Sequence, residues 1–231
     1  MTNCLADRDL DAVYKTRLSE AIYGLGVRNV KTQIAVTVVV ALALGTFFGR
    51  EVLSLTACGL LLGAQYSLRP LWLKGRGLWQ MLTLWAVIFF GPMLLVSRAL
   101  GVQATTIELA LFACYGAMQQ GIVLVNTAED LPEDSALSIR TSAVALGLRG
   151  ATRLAAAMVI LGGAGVLVVL ATRATHAWHL APLVAAWTWV TIELVSLARR
   201  AGLTTLRRYA KRVPIWIAAT AWGSLAALAL H

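Results

Sequence analysis

Charge is scarce in this chain: Asp, Glu, Lys and Arg make up only 13% of its 231 residues, while apolar side chains make up 59%. No soluble domain of this length hides so much apolar surface, and the mean hydropathy of +0.74 places the chain in the membrane class. Cysteine is scarcer still. Cys4, Cys58 and Cys114 show no C-x-x-C spacing with a histidine partner, which excludes a disulfide framework and a zinc site of that type. The opening residues M-T-N-C-L-A-D-R-D-L-D lack the apolar stretch of a secretory signal, so no cleaved leader is expected there. The net charge of +9 would suggest nucleic acid in a soluble protein. Here membrane orientation accounts for the basic residues, and no nucleic-acid partner is expected.

Crossing a hydrocarbon core of about 30 Å takes roughly 17 to 25 mostly apolar residues in a helix, because every backbone polar group must be paired internally. Seven runs answer to this, at residues 34–48, 52–68, 78–97, 107–125, 154–172, 180–198 and 213–230. They predict an all-α integral membrane protein, a bundle of about seven transmembrane helices forming one domain over residues 1–231. If the first run starts in the cytoplasm, the segments 1–33, 69–77, 126–153 and 199–212 hold 17 of the 20 Lys and Arg residues. The far side keeps Arg50, Arg98 and Arg173. That asymmetry predicts a multi-pass protein of the plasma membrane with a cytoplasmic N-terminus. Acidic residues share the bias: only Glu51, Glu108 and Glu193 lie outside the first and third cytoplasmic segments.

Two carboxylate pairs stand out. Asp7 and Asp11 are four residues apart, as are Asp130 and Asp134, so in helical backbone each pair projects from one face. Magnesium keeps several waters and takes one or two carboxylates together with substrate phosphates, a chemistry that two such pairs at one membrane face suit. Simpler readings stand beside this one. Asp130, Pro132 and Glu133 also make a good helix start, with Asp130 as N-cap. Asp7 to Asp11 also suits a solvated helix face paired with Arg8 and Lys15. A third cytoplasmic stretch, Y-S-L-R-P-L-W-L-K-G-R at residues 66–76, offers Tyr66, Lys74 and Arg76 as donors to phosphate oxygens. Membrane orientation by itself also explains its cations.

These three stretches together resemble the UbiA family of membrane prenyltransferases. The family's first motif, N-D-x-x-D-x-x-x-D, is met by Asn3, Asp7 and Asp11, followed by Ala12, Val13 and Lys15. Its second, D-x-x-x-D with a basic residue and Thr or Ser beyond, is met by Asp130, Asp134, Arg140 and Thr141, with Asn126 before it and A-V-A-L-G at 143–147 after it. Tyr66, Ser67, Pro70, Lys74 and Arg76 look like the family's segment between the motifs. Cys4, Glu129 and Ser138 depart from the pattern, standing where relatives carry Asp, often Arg, and usually Gly.

The resemblance implies a UbiA-like bundle in which the seven runs correspond to helices three to nine of nine, the first two being absent. It also implies transfer of an isoprenyl group from an isoprenyl diphosphate to a lipophilic, commonly aromatic, acceptor. Asp7, Asp11, Asp130 and Asp134 would hold Mg²⁺, with Asn3, Lys15, Tyr66, Lys74, Arg76, Asn126, Arg140 and Thr141 at the diphosphate. A membrane terpene cyclase, a truncated non-catalytic relative and a small transporter for an anionic solute are the alternatives.

Among the remaining residues, Trp72, Trp79 and Trp85 are candidates to shield a cation. Trp178, Trp216 and Trp222 fit interface belts and lipid-facing packing. Glu193 is an intramembrane acid by position, or snorkels to the interface beside Arg199 and Arg200. His176 and His179 fall on the far side, with no catalytic part expected. Gly162, Gly163 and Gly165 allow close helix contact.

Overall fold

The computed structural model describes Leu5 and residues 16–173 and 176–229, with side chains of 16–19 excepted. Among the described residues the secondary structure is entirely helical. A short helix α1 (Thr16–Leu25) leads through Gly26 into α2 (Val27–Phe48), and Gly49, at φ 109°, turns the chain sharply into α3 (Arg50–Ser67). After a loop containing a cis Arg69–Pro70 bond, α4 runs Leu78–Ala99. Then come α5 (Thr106–Glu129), short α6 (Leu131–Ala136), α7 (Ser142–Ala171), α8 (Ala181–Arg199), α9 (Leu203–Ala210) and α10 (Val213–Ala229).

All seven predicted runs are helical, but they do not all qualify as spans singly. Five helices are long and apolar enough to cross a bilayer: α2, α4, α5, α7, and α8 with its preceding turn (Ala177–Arg199). The pair α9 and α10, bent by 49°, makes a sixth. Helix α3 falls short because Arg50 and Glu51 open its 18 residues and Gln65, Tyr66 and Ser67 close them. Its length of about 27 Å at 1.5 Å per residue nevertheless carries the chain back from the Gly49 corner to the face where α4 starts.

Two local features follow from sequence. Within α4, residues Trp85–Phe90 form a π-helical turn just before Pro92. Proline removes one i→i−4 hydrogen bond and crowds the carbonyl four residues back, so the wider turn relieves both. Gly91 makes this possible, since a Cβ there would stand 2.6 Å from the Ala86 carbonyl oxygen. Helix α5 starts on a capping box in which Thr105 and Glu108 satisfy each other's backbone N–H groups.

The core lies between α5, α7, α8 and α10, around Met118, Ile122, Val159, Val190, Leu194 and Trp216. Small residues let these helices approach. A Cβ on Gly162 would stand 2.6 Å from the Met118 nitrogen, and one on Gly163 would collide with the Trp187 ring, whose Nε1 donates to the Val159 carbonyl at 2.8 Å. Close contact at these glycines is thus as expected from sequence. Trp216 is a correction: it is fully buried in this core rather than lipid-facing, whereas Trp178 and Trp222 are exposed as an interface or lipid position requires.

Of the charges on the far face, Arg98 lies 3.2 Å from Glu51 and Arg173 3.8 Å from Glu108. These pairs neutralise two of the three arginines there, leaving the excess of charge on the other side.

Candidate active site

The helix ends dictate how the site is assembled. The first four N–H groups of any helix lack intrahelical partners, and in a membrane protein water does not freely supply them. At the start of α7, Thr141 caps in the ordinary way, its Oγ1 accepting from Val144 N at 3.4 Å. The Ser142 N–H is served from 62 residues away: Gln80 Oε1 accepts it at 2.7 Å and accepts the Ser142 hydroxyl at 2.8 Å. The other end of the same amide, Nε2, donates to Tyr66 Oη at 3.2 Å. Gln80 is only 3% exposed, so one buried side chain ties the ends of α3 and α4 to the start of α7.

A second clasp is purely backbone. Gly77 N donates to the Arg140 carbonyl at 2.7 Å, joining the loop after α3 to the strand-like stretch before α7. Gly77 has φ 58° and ψ −122°, a conformation open to glycine and strained for other residues. Lys74 lies in the single 3₁₀ turn Leu73–Gly75 that precedes this clasp, and Trp72 folds over Gly75. Arg76 and Arg140, on either side of the bond, are both exposed. The clasp therefore brings three cations of the predicted set into one neighbourhood.

Asp130 and Asp134 bound the second acidic segment. Asp134 N donates to the Asp130 carbonyl at 2.8 Å, the α-helical bond that places the two side chains one turn apart, as the spacing predicts. Asp134 is buried and Asp130 half-buried. Asp130 does occupy the N-cap position of α6, with Pro132 in the first turn, yet its side chain makes no capping hydrogen bond. The N-cap reading is right about place and wrong about the bond. Asn126 sits exposed in the last turn of α5. Ser138 adopts a left-handed φ of 55°, a conformation that glycine takes without strain. Gly147, closing A-V-A-L-G, breaks α7 with φ 66° and ψ 166°.

Asn3, Asp7, Asp11 and Lys15 lie outside the described residues. Among the described residues no group of three or more His, Cys, Asp or Glu gathers to hold a metal unaided. Two hard carboxylates one turn apart, beside cations suited to phosphate, nonetheless fit magnesium, which shares its shell with substrate oxygens.

Hydrogen bonds link Tyr66 through Gln80 to Ser142, Gly77 to Arg140, and Ile139 N to the Asp134 carbonyl at 2.8 Å, whereas other candidates lie elsewhere. Glu193 pairs with Arg212, both carboxylate oxygens lying 2.7 Å from Arg212 Nη1, rather than with Arg199 or Arg200. Trp85 stacks on Phe90 and donates to the Ala113 carbonyl, so it is a packing residue between α4 and α5. Trp79 is exposed. His179 is buried against Trp178 just before α8. Sequence reasoning missed Gln80, Ser142 and Gly77. The available signal was a glutamine just inside an apolar run, a polar group that membrane burial tolerates only with partners.

Such a bundle of long apolar helices defines a polytopic membrane protein. The chain belongs to the UbiA prenyltransferase family, whose profile matches residues 1–211. It is 27% identical over 154 residues to the bacteriochlorophyll synthase 34 kDa chain of Chloroflexus aurantiacus, a match covering 67% of this chain and 49% of that protein. The chain thus spans about half the length of the curated relative it matches. A solved structure of a digeranylgeranylglyceryl phosphate synthase superposes with a TM-score of 0.71 at 14% identity, covering 99% of this chain and 80% of that one. At that identity the likeness is one of fold.

Proposed function

We propose that the chain transfers an isoprenyl group from an isoprenyl diphosphate to a lipophilic, aromatic acceptor, with Mg²⁺ as cofactor and the site facing the cytoplasm at the plasma membrane. The observation that carries this reading is the double clasp, Gly77 to Arg140 and Tyr66 through Gln80 to Ser142, which sets the basic loop against the second acidic motif. Asp130 and Asp134, joined by Asp7 and Asp11, would hold the metal. When bound, Mg²⁺ supplies counter-charge to the diphosphate.

Lys74, Arg76 and Arg140 donate N–H groups to phosphate oxygens and orient the donor with its hydrocarbon tail toward the bilayer. The same donors stabilise the charge that grows on the diphosphate as the allylic C–O bond ionises. The diphosphate leaves with the bonding electrons, the acceptor forms the new bond to the allylic carbon, and the acceptor's proton passes to solvent. No side-chain nucleophile takes part. Asn3, Lys15, Tyr66, Asn126 and Thr141 shape and line the headgroup site.

The test is transfer of a labelled prenyl group by membranes containing the wild-type chain, D130N or D134N, with and without EDTA and added Mg²⁺. Both variants should insert normally and lose transfer, and chelation should abolish activity that Mg²⁺ restores. Full transfer by D134N would overturn the assignment. Cyclic product from donor alone would redirect it to a cyclase.

A further inference from the structure

A cavity of about 860 Å³ opens between α7 and α8 and is lined by Arg149, Arg153, Arg199 and Arg200 together with Ile160 and Val195. None of the candidate active-site residues lines it. Arg149 and Arg153 stand one turn apart on α7, and Arg199 and Arg200 close α8, so the two antiparallel helices contribute two guanidinium groups each. No acid lines the cleft, and none of the four arginines pairs with a carboxylate among the described residues. Glu193, the nearest acid along α8, is committed to Arg212.

Four guanidinium groups on facing helices, with no carboxylate partner among the described residues, repel one another, and such a cluster is stabilised by an anion that accepts from several at once. The volume is within the range of about 300 to 1,000 Å³ usual for small-molecule pockets. Its lining combines four guanidinium groups with alanine, isoleucine and valine side chains, between two helices long and apolar enough to cross a bilayer. A soluble anion matches the first half of that description only. A phosphate headgroup with an acyl chain attached matches both, and basic clefts between spanning helices are suited to such lipids.

We propose that this cleft is a binding site for an anionic phospholipid of the leaflet that borders the candidate active site, its phosphate held among Arg149, Arg153, Arg199 and Arg200 and an acyl chain laid along Ile160 and Val195. The full chain, purified in mild detergent and given an equimolar mixture of phosphatidylglycerol and phosphatidylcholine, is measured by native mass spectrometry for retained lipid. Wild type should retain phosphatidylglycerol preferentially. R149Q/R153Q should weaken that retention roughly thirtyfold, corresponding to about 1 kcal/mol per arginine. R207Q/R208Q removes the same charge from the exposed face of α9, away from the cleft, and should leave retention unchanged. R199Q/R200Q provides an independent second variant should the first not fold.

Retention that is indifferent to both cleft variants, or reduced equally by R207Q/R208Q, overturns the proposal, since general surface charge would then account for it. Arginine-dependent binding of inorganic phosphate without preferential lipid retention also overturns it, assigning the cleft to a free anion.

Discussion

Replacing Gln80 by leucine removes the one side chain that joins three helix ends while preserving volume in a buried position. Ser142 N–H, fixed by the helix geometry, then faces no acceptor, and an unsatisfied buried backbone donor costs about 1 to 3 kcal/mol. The Ser142 hydroxyl and Tyr66 Oη each lose a partner as well but can rotate toward others, adding about 1 kcal/mol. The net loss is therefore about 2 to 4 kcal/mol, a sizeable share of a total folding free energy on the order of 10 kcal/mol. For a chain of this length it corresponds to a fall in Tm on the order of 10 °C in detergent. The same change should lower prenyl transfer, because the loop carrying Lys74 and Arg76 loses one of its two ties to the Arg140–Ser142 stretch. Q80E keeps an oxygen for Ser142 but replaces the donor to Tyr66 with a carboxyl group that is costly to bury when ionised, so it should recover only part of the thermal loss. An unchanged Tm and an unchanged transfer rate in Q80L would refute the idea that this amide organises the site.

Three further outcomes are expected. Arg76→Ala deletes a charged hydrogen-bond donor worth about 1.5 to 3 kcal/mol, so KM for the isoprenyl diphosphate should rise tenfold or more while the Tm stays put; an unaltered KM places Arg76 outside the headgroup site. Ser138→Gly relieves a left-handed φ that costs a non-glycine residue about 1 to 2 kcal/mol, less the extra entropy of an unfolded glycine, and should raise the Tm slightly without changing activity. Gly162→Leu drives a side chain into the backbone of α5 at Met118 and should cost about 3 kcal/mol or more, read as loss of monodisperse protein after detergent extraction.

What the sequence made legible was what hydropathy and spacing control. Each apolar run is a helix because lipid leaves the backbone no other way to pair its polar groups. The Asp130–Asp134 turn was visible as a motif, whereas Ser138 was visible only as a departure and its left-handed backbone came from the structure. Span quality was less legible: α3 reads as a run, yet its charged and polar ends keep it from qualifying alone. Trp216 was misplaced because a tryptophan near a run's end fits the interface as well as the core, and only the packing of α5 against α10 decides between them. Glu193 was assigned to its sequence neighbours when its partner, Arg212, lies beyond α9. Gln80 carried no motif at all. Its role depends on a helix start 62 residues later, a relation fixed by tertiary approach rather than by local pattern.

The two irregular segments of the candidate site, between α3 and α4 and between α6 and α7, explain each other. Non-helical backbone near a bilayer survives only when buried in protein or lining a polar cavity, since lipid offers it no partners. Here each segment supplies what the other lacks: Gly77 gives its N–H to the Arg140 carbonyl, and Gln80 receives the N–H of Ser142. Neither N–H has an intrahelical partner, since Gly77 precedes α4 and Ser142 lies in the first turn of α7, so each depends on an acceptor across the contact. The contact therefore fixes the loop that carries Lys74 and Arg76 against the segment that carries Arg140, and Ile139 N, donating to the Asp134 carbonyl at 2.8 Å, ties that segment in turn to α6.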